Sequence, residues 1–221
     1  MQMSVSQYAH EKPEKQEKRT SSAGPFIVIS QQYGCSGASA AQAAADMLRD
    51  QERGDWQVST DSHIKELALE TGCDIETILA EKNCKQSAWR DIIKNLRGSS
   101  SLDSFDIHQK LANKAREAAI KGNIIIVGQT ASPATAKIEN GVRIRLIAPL
   151  KWRISAVCAA DKIERKEAEE KIEEIDEIKM DIEKIYEKMN PRTPAFDLVI
   201  DNSKFSDRQI AEILIAALHL R

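Results

Sequence analysis

Nine consecutive residues, Gln31-Gln32-Tyr33-Gly34-Cys35-Ser36-Gly37-Ala38-Ser39, carry the clearest chemical signal in this chain. They follow the apolar run Phe26-Ile27-Val28-Ile29-Ser30 and lead straight into an alanine-rich stretch. A tight Gly-containing turn between a buried strand and a helix aims backbone N–H groups and the positive end of the helix at an anion. Set on the pattern G-x-x-x-x-G-K-[ST], Gln32 stands at the first glycine, Gly37 at the second, Ala38 at the lysine and Ser39 at the hydroxyl residue. With Gly34 in the turn, the backbone amides of Cys35, Ser36, Gly37 and Ala38 are expected to cradle phosphate, and the Ser39 hydroxyl to lie near its Mg²⁺. Ala38 brings no charge to that task. A strand-to-helix turn that holds no nucleotide explains the same residues equally well. Cys35 sits at a helix N-terminus, an environment that lowers a thiol pKa and would allow redox sensing. A small side chain fitted to a tight turn is the simpler account.

The elements that must position this loop alternate in type. Phe26–Ser30 is expected as a strand buried on both faces, and Ala38 to about Glu52 as a helix. Trp56–Ser59 is a short second strand. Helices are expected over about 61–71, 74–82, 87–96 and 105–121, the last closed by Gly122. Ile124–Gly128 and Val142–Ala148 are further strands, the latter ended by Pro149. A helix spans Leu150 to about Ala160. Glu164–Met189 is highly charged, with Ile172, Ile175, Ile178, Ile182 and Ile185 at helical spacing, which predicts an amphipathic helix or helical pair. Phe196–Ile200 is a fifth strand and Asp207–Leu220 a final helix. Such alternation predicts an α/β fold with a parallel sheet and a ligand site at the carboxyl ends of the strands.

Bulk properties exclude several classes. The chain has 221 residues, 42% hydrophobic and 30% charged, with a net charge of −2. Nothing in that balance favours nucleic acid or an anionic membrane as a partner. No apolar run approaches the roughly 20 residues that span a bilayer, and the N-terminus lacks a signal-peptide core. The cysteines Cys35, Cys73, Cys84 and Cys158 are scattered, as reduced thiols are. A cytoplasmic, soluble protein is expected. Residues 1–24 are polar and predicted to be a disordered tail, leaving 25–221 as one domain.

Five blocks in order now point to a family. Phe26–Gly37 resembles a strand followed by a Y/F-G-C-S-G-type loop, and Asp55–Val58 the strand after it. Gly122–Gln129 resembles G-x-x-I-I-V-G-R, Val142–Ile154 resembles V-R-L-x-A-P-x-x-x-R-I, and Phe196–Asn202 resembles Y-D-L-V-I-N-T. Together they resemble the cytidylate kinase-like proteins, a branch of the P-loop nucleoside monophosphate kinases. The resemblance implies a five-stranded parallel sheet of order 2-3-1-4-5, a helical acceptor-binding insert at about 61–102 and a lid at about 163–191. It also implies transfer of the ATP γ-phosphoryl group, with Mg²⁺, to a nucleoside monophosphate such as CMP or dCMP.

That transfer depends on positioned positive charge. By the resemblance, Arg153 and Lys179 are the cations that would act on the phosphates, and Asp61, Arg90 and Arg97 would contact the acceptor. Arg143 and Arg145 alternate along a strand and either reach the site or flank the sheet. Arg153 fits a surface salt bridge as readily as a catalytic role. The chain departs from the family at Ala38, at Gln129 and at Ala156, where cations are usual. The lid motif D-x-x-R becomes Asp176-Glu177-Ile178-Lys179, and Lys lacks the planar fork of Arg. Glu169, Glu170, Glu173, Glu174, Asp176, Glu177, Asp181 and Glu183 make the lid acidic, the pattern of a solvated helix laced with Glu–Lys pairs. The isoleucine stripe would pack on this chain's own core, dock a protein partner or mediate self-association. His63 and His108 lack partner spacing and are expected to be structural or exposed. Two functional readings therefore stand: a nucleoside monophosphate kinase, and a catalytically impaired pseudokinase that binds nucleotide or protein.

Overall fold

Apolar runs that cannot stay in water set the layers of this molecule. The computed structural model describes residues 24–60, 112–128, 131–189 and 196–220, with the backbone alone at 178 and 181–189. In chain order the elements are β1 (Phe26–Gln31), α1 (Gly37–Asp50), β2 (Gln57–Ser59) and α2, described over 112–121. Then come β3 (Ile124–Val127), α3 (Ala131–Ala134), β4 (Gly141–Ile147) and α4 (Leu150–Asp161). The last are α5 (Arg165–Met189), β5 (Leu198–Asp201) and α6 (Asp207–His219). The strands form one sheet of order β2-β3-β1-β4-β5, and every pairing is parallel. This is the expected order.

Strand β1 is central, and Phe26, Ile27, Val28 and Ile29 are at most 1% exposed. Successive side chains of a strand point to opposite faces. Ile27 and Ile29 meet Ala40, Ala41, Ala44 and Ala45 of α1 with Ile210 and Leu214 of α6. Phe26 and Val28 meet Ala112, Ala115 and Ala119 of α2 with Ala131 and Ala134 of α3. Each large aliphatic side chain so buried contributes about 1.5–3 kcal/mol. The alanines of α1 let that helix lie close on the sheet, which sets its N-terminus at the end of β1.

A third cluster lies beside the loop that follows β1. Ile154 and Val157 of α4 pack on Ala168 and Ile172 of α5, with Tyr33 against them. Ile172 is thus part of this chain's own core. Helix α5 is one continuous helix rather than a pair, and its start is anchored next to the loop. The short α3 was not foreseen, because Pro133 within four residues leaves no helical periodicity to detect.

Several expectations lie outside the described residues. These are the tail up to residue 23, the helices over 61–96, Asp61, Arg90, Arg97, Gln129, His63, His108, Cys73, Cys84, and the side chains of Ile178, Ile182 and Ile185.

Candidate functional site

The loop after β1 turns at Gly34, whose φ of +90° is a conformation that side chains disfavour. A Cβ there would also press on the backbone oxygen and Cβ of Arg153, both at 3.1 Å. Two demands thus meet in one residue, a left-handed turn and close contact with α4. Helix α1 then starts at Gly37, after Ser36.

Oxygens of this chain, three of them on side chains, already receive several amides of this loop. Tyr33 N donates to Asp176 Oδ1 at 2.9 Å. Ser36 N donates to Asn202 Oδ1 at 2.7 Å. Gly37 N donates to Gln31 Oε1 at 2.6 Å. Cys35 N donates to the carbonyl of Gln32 at 3.2 Å. Three of the four amides expected to cradle phosphate, those of Cys35, Ser36 and Gly37, are therefore engaged by this chain's own oxygens. Gln31 lies so close that a Cβ on Gly37 would sit 2.2 Å from its Oε1. A helix N-terminus attracts acceptors, and here the sequence supplies them.

Positive charge gathers at the same place. Arg153, buried on α4, donates from Nη1 to Asp176 Oδ2 at 2.5 Å and to the Tyr33 carbonyl at 3.2 Å. Its Nε donates to the Ala148 carbonyl at 3.1 Å. Lys179 Nζ donates to the Gln31 carbonyl at 2.8 Å. Burial brings its pKa down to about 8, against the pull of Asp176. Arg145 donates to Ser30 Oγ at 2.8 Å, stacks over the Phe196 ring at 5.4 Å, and lies within electrostatic reach of Asp176 and Cys35. Arg153 and Lys179, the two cations singled out from sequence, are thus brought together at the loop, with Arg145 as a third. Arg153 makes a buried ion pair here, not the surface salt bridge weighed against it.

Other expectations come out differently. Arg143 points to the same side of β4 as Arg145 but locks β5 instead. Its Nε and Nη2 donate to Asp197 Oδ2 and Oδ1 at 3.2 and 3.1 Å. The low-pKa expectation for Cys35 fails. Burial pushes its thiol up to about 11, outweighing the nearby cations Arg153 and Lys179. Ala38 and Ser39 are exposed on the first turn of α1. Ala156 is half-buried on α4. The acidic face of α5 carries the solvated pairing expected of it, as in Lys166–Glu170. Asp176 is the exception, because it faces the loop.

Sequence reasoning missed Gln31, Asp176 and Asn202 as loop partners. Asp176 was visible only as one carboxylate in an acidic helix. Its place four residues after the buried Ile172 was the available signal, since i and i+4 share a helix face. Asn202 follows β5 and is 2% exposed, and its Nδ2 also donates to Ser36 Oγ at 3.1 Å.

The sequence model of the cytidylate kinase-like family matches residues 26–204. The chain belongs to that family. The match runs from the first residue of β1 to just past β5, and so includes the loop, α4, α5 and Asn202. No curated protein matches the chain. Among solved structures, an uncharacterized protein from Eubacterium ventriosum is similar with a TM-score of 0.61 at 16% identity, over 89% of this chain and 99% of that one. Shikimate kinase from Acinetobacter baumannii, in complex with shikimate, is similar with a TM-score of 0.51 at 13% identity, over 90% of this chain and 95% of that one. At these identities the likeness shows the kinase fold.

The family implies a nucleotide and Mg²⁺, and the described residues answer for the two differently. Ser39 offers one hydroxyl oxygen, and no group of three His, Cys, Asp or Glu among the described residues could hold a metal. A Mg²⁺ ion here would take its other donors from phosphate and water, as such ions usually do. A phosphate would need the amides of Ser36 and Gly37, which it can reach only once Asn202 and Gln31 give way. No described helix is long and apolar enough to cross a membrane.

Proposed function

We propose that this protein is a nucleotide-binding member of the cytidylate kinase-like family in which phosphoryl transfer is impaired. The observation that carries this reading is the state of the loop. The amides of Tyr33, Ser36 and Gly37 are satisfied by Asp176, Asn202 and Gln31, while Ala38 stands where a lysine would neutralise charge on the transferring phosphoryl group. Loss of one preorganised charge of this kind costs about 10²–10³ in rate. The convergence of Arg145, Arg153 and Lys179 supports retained binding of an anionic ligand, with Ser39 beside its Mg²⁺. Asp61, Arg90 and Arg97 remain the proposed acceptor contacts by family position, and CMP or dCMP the proposed acceptor class.

Calorimetry with ATP, ADP and CMP, together with ADP release from ATP–Mg²⁺ in the presence of CMP, dCMP or UMP, tests this directly. Binding without turnover above a Gly37→Leu control is expected. Turnover well above that control would overturn the impairment and favour an active nucleoside monophosphate kinase. Absence of any nucleotide binding would overturn the reading itself. A protein-docking role for the isoleucine stripe finds no support at Ile172, which is buried against α4.

A further inference from the structure

Asp176 takes up two donors beside the expected phosphate cradle, a loop amide just before Cys35–Ala38 and the guanidinium of Arg153. One oxygen accepts the Tyr33 main-chain N–H at 2.9 Å, and the other accepts Arg153 Nη1 at 2.5 Å. Charge-assisted bonds of this kind are the strong ones. The carboxylate is also a poor electrostatic match for its surroundings. It is a single negative charge set among Arg145, Arg153 and Lys179. A phosphate group of higher charge would neutralise the cluster more fully.

The helix links this contact to a larger motion. Ile172, Asp176 and Lys179 follow one another at spacings that share a face. Ile172 is buried against α4, Asp176 holds the loop amide, and Lys179 holds the Gln31 carbonyl. A ligand that evicts Asp176 therefore loosens Lys179 and the helix that carries both. Gln31, by contrast, can swing its side chain from Gly37 without moving any helix.

We propose that Asp176 is a built-in competitor for the anion of this loop: besides displacing Asn202 and Gln31 from the Ser36 and Gly37 amides, a phosphate-bearing ligand engages Arg153 only as α5 releases its carboxylate, and ligand binding is read out as movement of α5. The proposal rests on the nucleotide-binding reading above and assigns its regulation. The conformational cost lowers apparent affinity in proportion to the small fraction of molecules with the carboxylate released.

The test compares the wild-type protein with Asp176→Asn, using inorganic pyrophosphate and ATP–Mg²⁺ as probes in calorimetry and hydrogen exchange. Pyrophosphate should bind Asp176→Asn about ten-fold tighter than wild type. In wild type, saturating pyrophosphate should speed exchange within 165–177 and slow it within 33–37. Equal affinities, or an α5 whose exchange is unchanged at saturation, overturn the proposal and leave nucleotide binding intact. Tighter pyrophosphate binding by the variant, with no ATP bound by either protein, supports the competitor and overturns the nucleotide reading. Failure of both proteins to bind either probe overturns both. Should Asp176→Asn not fold, the wild-type exchange experiment decides alone.

Discussion

Lys179 is the residue whose environment can be titrated. Burial lowers its pKa from 10.5 to about 8. Between those values the unfolded chain keeps a proton that the folded chain has shed, so stability climbs with pH. Cys35 acts in the opposite direction, because its pKa rises from 9.0 to about 11 and the folded chain keeps the proton there. The Lys179 contribution therefore shows most cleanly between about pH 8 and pH 9. Thermal melts should rise across that interval in wild type and flatten in Lys179→Met; identical slopes would contradict the assignment. Cys35 gives a second check. Alkylation followed peptide by peptide should accelerate at Cys35 only toward about pH 11, and a midpoint near that of a free thiol would refute its burial. Ala38 is exposed beside the loop, so Ala38→Lys should tighten ATP binding about ten-fold if the amides can be freed, as calorimetry would show. At this scale the sequence was a partial guide. Residue types and spacing located the loop, because it matches a pattern that charge on phosphate demands, and the family resemblance located Arg153 and Lys179. Neither singled out Asp176 among the acidic residues of α5, because one carboxylate differs from its neighbours only by what lies opposite. The rise in the Cys35 pKa was hidden for a related reason. A helix N-terminus is legible in sequence, but the desolvation that overrides it is not.

Between elements, the clearest bond is the one that ties β5 to β4. Arg143 and Asp197 are 11% and 17% exposed in their side chains, and Asp197 Oδ2 also accepts the Arg143 main-chain N–H at 2.8 Å. A further bond runs from Arg143 Nη1 to the Ala136 carbonyl at 3.1 Å. Removing one partner of a buried pair leaves the other charge uncompensated, which costs about 3–5 kcal/mol. Arg143→Met should lower unfolding stability by roughly 3 kcal/mol in urea while leaving ATP affinity unchanged. A comparable loss in Arg145→Met alone, with Arg143→Met silent, would reverse the roles given to these two residues. The strands themselves were legible in place and order, most firmly β1 and β3, whose continuous apolar runs have no solvated alternative. Their edges shifted by a residue or two where side chains are buried without pairing. Trp56 is 1% exposed, yet its N–H bonds to the Gly54 carbonyl at 3.0 Å, so β2 begins at Gln57. Helix α5 was legible as amphipathic but not as continuous, because nothing in a charged repeat marks whether it bends.

For the molecule as a whole, the family match and the folded unit do not end together. The match stops at residue 204, whereas α6 begins at Asp207. Ile210, Ala211 and Leu214 of that helix are fully buried, and Ile215 is 6% exposed. They close the sheet face that Ile27, Ile29, Ile144 and Leu146 present. Ser206 caps α6 through its bond from Gln209 N, and Gln209 answers at Ser206 N at 2.9 Å. That cap turns the chain back over the sheet just after Asn202 has bonded Ser36. One short stretch thus holds the loop and covers the core. A chain ending after residue 204 should therefore lose cooperative unfolding, and circular dichroism melts would register a broad, low transition in place of a sharp one. Leu214→Ala in the full chain isolates the packing contribution. It should cost about 2–5 kcal/mol, the range for a buried leucine truncated in a core that relaxes only partly. A truncated chain that melts sharply, or a Leu214→Ala variant as stable as wild type, would mean that the sheet face is closed by something other than α6.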